Sequence, residues 1–490
     1  MAAVTAGAPG MLVLPCMKRH ALPSLVLAAL ALFALVLPLA DCGGGRPPDV
    51  VLIVVDSLRA DALGPQGSQP SASPRIDRLA ADGVRFQRVI APASWNLPSM
   101  SSLVTSTYPW RNGQGAADAG QADLATLAEA FSRAGYRTAA FTEAAGWPLL
   151  KRGFEVFEDT AGADMYGDPR GNSAAKTLAA ALAWARKDDS RPFFLLVHTY
   201  EVHSYFLGKP EHHAFARHEL PAYNGPFRDW GIHDLGKPAG PQVIEALLRA
   251  TPDDLAYVRA LYRGAVAGVD AEVGRFADGL TAAGLDGRTV LALTSTNGEG
   301  FRPDLKRVHH GGRLHDDVLH VPLLVRWPGR LQPGSSTALV TSLDVAPTLL
   351  KLAGVAPEPR FAGRPLVAAD TSFLSRFQGP RFALRTLPSQ PVVAQEATFR
   401  VLPSGERVAA TAPQLALYSD WVTLISDGND VRLYDLKDDP QQETDLAAAH
   451  PEAAASLKGQ LRRLTEDAGR PGSKPDAAQL EQLKSLGYVQ

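Results

Sequence analysis

The sequence predicts an α/β fold, a mostly parallel sheet with helices on both faces, followed by a small C-terminal antiparallel sheet with a terminal helix. Three observations carry this. Segments such as DVVLIVV and PFFLLVHTY are continuous apolar runs, as expected of strands buried on both faces. These runs alternate with helical stretches, the order that βαβ units produce. After about residue 365 the alternation gives way to short period-two segments and a polar helix.

Asp49 opens the first strand. SPRIDRLAADGVRF then reads as a short helix started by Ser73-Pro74 and stopped by Gly83. DLATLAEAFSRAGYRTAAFT is a helix leading into a strand, with Gly135 between them, and SAAKTLAAALAWARKDD before PFFLLVHTY repeats the arrangement. The stretch from Tyr205 to Val243, rich in His, Pro and Gly, reads as a long loop or insertion over the sheet. The longest helix runs from about Asp253 to Ala283, with Leu255, Val258, Leu261, Val266, Val269, Val273, Phe276 and Leu280 near helical spacing. TVLALTS and VPLLVRW follow as strands. In ALYSDWVTLISDGNDVRLYDL two alternating segments meet at Asp427-Gly428, a hairpin signal, and a polar helix begins near Pro451. The expected organisation is a leader and tether over 1–47, the α/β domain over 48–365 and an α+β subdomain over 366–490.

Composition narrows the function classes. With 49 Lys+Arg against 51 Asp+Glu the formal net charge is -2, which argues against a nucleic-acid partner. Hydrophobic residues at 46% and charged at 20% are globular values. The two cysteines, Cys16 and Cys42, both precede the first strand, so the folded part holds no disulfide, thiolate metal site or cysteine nucleophile. Residues 21–40 are apolar and uncharged and follow Lys18, Arg19 and His20, the layout of a signal peptide, and Met17 directly before that basic cluster is a candidate start. The run ends in LADCGGG, which resembles the lipobox of bacterial lipoproteins except for Asp41. Lipidation of Cys42, an uncleaved anchor and plain cleavage are the alternatives, and each exports the remainder, to a membrane surface or the periplasm.

Ligands of such sheets bind outside the carboxyl ends of strands, and Asp56 closes the first strand in VVDSLRAD. VVLIVVDSLRADALG, SPRIDRLAADGVRF, APASWNLPSMSSLVTSTYPWRNG, PFFLLVHTYEVHSYF, TSTNGEGF, HHGGRLHDDVLHVPLLVRWPG and RLYDLKDDPQQETDLA, in this order and spacing, resemble the sulfatase family of the alkaline phosphatase superfamily. The resemblance implies an alkaline-phosphatase-like fold and hydrolysis of sulfate esters, with phosphoesters and phosphonates in some relatives. It also implies a divalent cation, Ca, Mg, Mn or Zn, and a CxPxR or SxPxR signature whose first residue becomes formylglycine. A helix start suits such a nucleophile, because its unpaired N–H groups and dipole favour an anionic transition state.

The chain departs from that pattern where chemistry is concentrated. Asn96 stands at the nucleophile's position and Met100 at the arginine's. An amide can be neither oxidised to an aldehyde hydrate nor deprotonated to attack sulfur, and a thioether carries no charge. Asn96 as a helix cap and Pro98 in the first turn would still keep the local geometry. In TSTNGE, Thr296 replaces a metal carboxylate, while Asn297 matches members that use Asn there, although the relatives most like VVDSLRAD have His; the remaining ligand set is Asp56, Asn297 and the Asn96 carbonyl, and its single anionic member predicts weak metal binding at best. His203 falls in the place of the histidine of a D-P-H run, beside Glu201 and Val202, and His310 where a histidine or lysine approaches the sulfate. Arg59 reads as ordering its loop, and His309, His315 and His320 as surface or packing residues. Ser94, Ser99, Ser101 and Thr105 are nearby hydroxyls but poor substitutes for the nucleophile. The expectation is a non-catalytic sulfatase-like protein without formylglycine that binds a sulfated or phosphorylated small molecule or glycan. The competing one is an ester hydrolase using water activated by a metal or histidine, through Asp56, His203 and His310.

Overall fold

A computed structural model of the chain describes residues 46–64, 70–112, 124–143, 148–160, 173–187, 189–231, 240–369, 381–385, 390–396, 399–401, 407–409 and 414–466. The expected leader, with Met17 and Cys42, lies outside the described residues. Among the described residues no helix is long and apolar enough to cross a membrane.

Ten strands frame the site: β1 (Asp49–Val55), β2 (Val84–Ile90), β3 (Arg137–Thr142), β4 (Val156–Asp159), β5 (Phe193–Thr199), β6 (Thr289–Thr294), β7 (Gly300–Arg302), β8 (Arg307–His309), β9 (His320–Arg326) and β10 (Gly334–Thr341). Eight of them form one sheet in the order β10-β2-β9-β6-β1-β5-β3-β4. β9 runs antiparallel to both β2 and β6, and the other neighbours are parallel. β7 and β8 pair as a separate short ribbon.

The apolar run of β1 is explained by its central place. Val50, Leu52 and Val54 belong to the core on one face, while Val51, Ile53 and Val55 belong to the core on the other. A strand whose side chains alternate between two dry layers has no position for a polar residue until it ends. The end is Asp56.

The long helix spans Pro252–Ala282 and is started by a capping box in which Thr251 and Asp254 exchange hydrogen bonds. Of the eight apolar residues at helical spacing, all but Leu255 are buried. The Tyr205–Val243 stretch is not a plain loop. It contains a helix over Pro210–Glu219, a turn of 3-10 helix over Pro226–Asp229 and the start of a helix over Gly240–Leu248. The first of these lies so close to the long helix that a Cβ on Gly264 would stand 3.0 Å from the His212 Cα. PEHHAFARHE lacks a regular apolar stripe because its contacts are largely polar, including Glu219 with Arg263, so periodicity did not reveal it.

The C-terminal part is a four-stranded antiparallel sheet made of Val392–Glu396, Gln414–Ser419, Val422–Ser426 and Val431–Asp435, followed by the helix Pro451–Leu464. The sequence reading of two segments missed a second tight turn, where Asp420 takes a left-handed φ of 51°. Val392, Ala394, Ala416 and Tyr418 join the same apolar cluster as β1, so this sheet shares the main core.

Candidate functional site

Four chain segments meet at the carboxyl ends of β1, β5 and β6. Asp56 N–H donates to Thr199 O at 2.9 Å, which fixes the residue just beyond β1 against the end of β5. Ser57 then turns through a left-handed φ of 59°, held by Tyr262 Oη donating to Ser57 O at 2.8 Å. Leu58 N–H donates to Ser295 Oγ at 3.0 Å and so ties this turn to the end of β6. Gly298 allows the following loop to pass close to another, because a Cβ there would stand 2.3 Å from Asp317 O.

The fourth segment is the helix Asn96–Thr105. Trp95, not Asn96, holds the cap position, and its side chain donates no cap. Asn96 is the first helical residue: its Oδ1 accepts from Leu97 N–H at 2.7 Å, and its Nδ2 donates to Asp56 Oδ2 at 3.2 Å and Tyr200 Oη at 3.0 Å.

The other Asp56 oxygen is hydrogen-bonded to the Thr296 hydroxyl, which also lies 2.8 Å from Asn297 Oδ1. A hydroxyl has one proton, so both contacts are hydrogen bonds only if Asp56 supplies the second. Burial acts in that direction, pushing the Asp56 carboxyl up to about 8 despite the bonds from Asn96 and Ser57. Asn297 Nδ2 donates to Gly298 O at 2.8 Å and Ser57 Oγ at 3.2 Å. With the Asp56 carboxyl protonated, as burial favours, the contacts form a closed chain in which Asp56 donates to Thr296, Thr296 to Asn297, and Asn297 to its own loop. A hard divalent cation does not fit it: burial favours the neutral form of the one carboxyl, one of whose oxygens faces the Asn96 amide hydrogens while the other is taken up by Thr296.

A second polar group lies beside the first. Glu299 Oε2 is 2.9 Å from His310 Nδ1 and 3.4 Å from His309 Nδ1, and one ligand atom from each of the three falls within 4.8 Å of the others. The His203 ring centre is 5.0 Å from that of His310 and 5.1 Å from that of Tyr200. Burial would raise the Glu299 carboxyl, but the imidazoles of His309 and His310 more than reverse it and keep it charged. Burial pushes His310 down to about 4 and takes His203 well below its ordinary value. Neither of these two imidazoles carries a positive charge at neutral pH.

The sulfatase family model matches residues 48–355, the region that carries all of these groups. The chain belongs to the sulfatase family. Human arylsulfatase A is 28% identical over 478 residues, covering 84% of this chain and 87% of that one. An N-acetylglucosamine-6-O-sulfatase of Bacteroides thetaiotaomicron is 22% identical over 426 residues, covering 70% and 74%. Among solved structures, a complex with D-glucosamine-2-N,6-O-disulfate aligns with a TM-score of 0.65 at 18% identity, covering 86% of this chain and 98% of that one. The phosphonate monoester hydrolase of Agrobacterium radiobacter aligns with a TM-score of 0.62 at 20% identity, covering 86% and 96%. These two likenesses concern the fold.

Within this sulfatase-family frame the structure brings Asp56, Asn96, Thr296 and Asn297 into one network and places His203 beside His310. Met100 does not join them; it is fully buried in the apolar cluster that contains Trp95 and Leu103. Three of the four nearby hydroxyls are engaged elsewhere: Ser99 donates to Ala93 O at 2.7 Å, Thr105 to Ser101 O at 2.7 Å, and Ser94 to Glu396. Arg59 bonds Asp61 and donates to Glu299 O at 2.6 Å, ordering the loop as expected.

His309 and His315 are not surface residues. His309 adjoins Glu299, and His315 is buried against Tyr434. Sequence reasoning also missed Tyr200, Glu143 and the role of Glu201. Glu143 accepts from Thr177 and Thr199 hydroxyls and Tyr200 N–H, and burial pushes it up to about 7. Glu201 bridges Lys209 Nζ at 2.7 Å and His212 Nε2 at 2.9 Å; burial opposes its charge, but these partners prevail and hold it at about 2. The HTYEVH string quoted around His203 contained both Tyr200 and Glu201, whereas nothing local distinguished Glu143.

Proposed function

We propose that the protein is a non-catalytic sulfatase-fold protein that binds a sulfated ligand, a small molecule or glycan, at the ends of β1, β5 and β6. The observation that carries this reading is the closed hydrogen-bond chain through Asn96, Asp56, Thr296 and Asn297, which fills the place where the family pattern puts its nucleophile and metal. Hydrolysis of a sulfate ester needs a nucleophile and a positive site for the transferred group. The residues here offer an amide in the first role and a neutral carboxyl in the second. Met100 in the apolar core supplies no charge in the place of the family's arginine. Formylglycine has no precursor at Asn96.

Binding asks less than turnover. The imidazole of His203 can donate a hydrogen bond to a sulfate oxygen without a nucleophile. A sulfated sugar is the favoured class because the relatives include an N-acetylglucosamine-6-O-sulfatase and a structural neighbour holds D-glucosamine-2-N,6-O-disulfate. Export, with a tether through residues 1–47 and lipid on Cys42 as one form, belongs to the same proposal.

The test is calorimetric titration of the purified protein with D-glucosamine-2-N,6-O-disulfate and with unsulfated glucosamine. The reading expects binding of the sulfated sugar alone, weakened in His203→Ala, with no free sulfate released. Equal affinity for both sugars would overturn it. Release of sulfate would favour a hydrolase that activates water through Asp56, His203 and His310.

A further inference from the structure

We infer that Glu299, His309 and His310 form a binding site for a divalent transition ion of the zinc class, separate from the Asp56 position. The donor set is one carboxylate and two imidazole nitrogens on segments that follow β6, all buried, with Glu299 fully so. Glu299 Oε2 lies 2.9 and 3.4 Å from the two histidine Nδ1 atoms. Tetrahedral zinc holds N and O ligands at about 2.0–2.2 Å, which puts neighbouring ligand atoms about 3.3–3.6 Å apart, so the group needs only small shifts to enclose one ion. The chemistry selects the ion: imidazole nitrogen suits Zn²⁺, Ni²⁺ and Cu²⁺, while Ca²⁺ and Mg²⁺ require oxygen cages.

Two further observations point to a missing ligand. His203 Nδ1 is buried without a hydrogen-bond partner among the described residues, and buried His309 Nδ1 faces only the Glu299 carboxylate, 3.4 Å away and poorly aligned for a hydrogen bond. Buried ring nitrogens are normally paired, and an orphaned one beside an anionic carboxylate suits a cation. His309 also takes a left-handed φ of 57°. That conformation is costly for a residue with a Cβ, and such strain tends to persist where a side chain must be held at a site. Here it sets the His309 ring 4.0 Å, centre to centre, from that of His310.

The loop is anchored independently. Gly311 N–H donates to Ser94 O at 2.9 Å, and Arg313 donates to Val308 O at 3.0 Å and His309 O at 2.6 Å. Three protein ligands leave a fourth position beside His203, open to water or to an oxygen of an anionic ligand. The ion would bring to the pocket a positive charge that Met100 does not provide. The site itself stands whether or not a sulfated ligand binds.

The experiment is metal analysis and zinc titration of the chelator-treated full exported chain, with cobalt(II) absorption as a spectroscopic probe of coordination. The expected result is one Zn²⁺ per chain, preferred over Ca²⁺, and a cobalt spectrum of four-coordinate type. Glu299→Gln and His309→Asn should each weaken zinc by more than the roughly 10- to 100-fold that outer partners cost. Asn tolerates the left-handed backbone at 309, so that variant is expected to fold, and its melting temperature without metal checks this. Absence of stoichiometric zinc in the wild type, or zinc binding abolished by Asp56→Asn but retained in His309→Asn, would overturn the assignment.

Discussion

Asn96 Nδ2 donates to Asp56 Oδ2 across 3.2 Å, so the first residue of its helix presents hydrogen to one oxygen of the carboxyl that ends β1. Thr296 completes the arrangement from the other side. Substitutions that look like separate losses in the sequence form one structure, in which each residue satisfies its neighbour.

Asp56→Asn tests whether that carboxyl is neutral in the folded protein. An Asn side chain can reproduce the donation to Thr296 that a protonated Asp makes, so the variant should lose little stability at pH 4 to 5. Because burial raises the folded carboxyl to about 8, the wild type holds an extra proton relative to its unfolded chain between about pH 4 and 8. That stabilisation is complete below the unfolded value and is lost as pH rises through the folded one. Denaturant titrations should therefore show the wild type declining relative to Asp56→Asn over this window, by at most about 1.4 kcal/mol per pH unit. A constant difference between the two proteins from pH 4 to 8 would contradict the protonated state.

Thr296→Asp should convert the closed chain into a demand for cation. Two carboxylates then face each other in a dry pocket, which destabilises the protein without a counter-ion. The variant should melt below the wild type in chelator and recover on adding Ca²⁺ or Mg²⁺, by about 2.7 kcal/mol at a hundred times the dissociation constant. Melting curves with and without the ion check this, and the wild type should show no comparable response to Ca²⁺ or Mg²⁺.

Glu201→Gln should be strongly destabilising. It removes the carboxylate that neutralises buried Lys209 and receives His212 and Ala174 N–H. Breaking one side of a buried pair costs about 3–5 kcal/mol, measurable by urea unfolding. The wild-type contribution is present above the unfolded carboxylate value and disappears as pH falls through about 2, so the gap between wild type and variant should close in strong acid.

The legibility of the fold and the site differed for physical reasons. Strands buried on two faces give continuous apolar runs, so β1, β5 and β6 could be read directly, and Asp56 stood out as the first polar residue beyond β1, while Thr296 and Asn297 came from the family string TSTNGE. The family string then located Asn96 and Met100. The direction of β9 was not legible, because an interior strand has the same composition whichever way it runs. The helix Pro210–Glu219 lacked a stripe because charged and histidine contacts hold it. Of the surface and packing readings of His309 the structure has the buried one, and its contact with Glu299 was not legible because it depends on a left-handed residue and a β7–β8 ribbon that bring the two loops together. Glu143 enters the site through pairing of β3 with β5, a relation no local pattern encodes.

Turnover is the central issue, and the direct measurement is release of chromophore from an aryl sulfate and an aryl phosphate by the purified protein, beside its Asp56→Ala variant. The account predicts no turnover above the buffer blank for either protein, with or without added Ca²⁺, Mg²⁺, Mn²⁺ or Zn²⁺. Sustained turnover by the wild type that Asp56→Ala abolishes would contradict it.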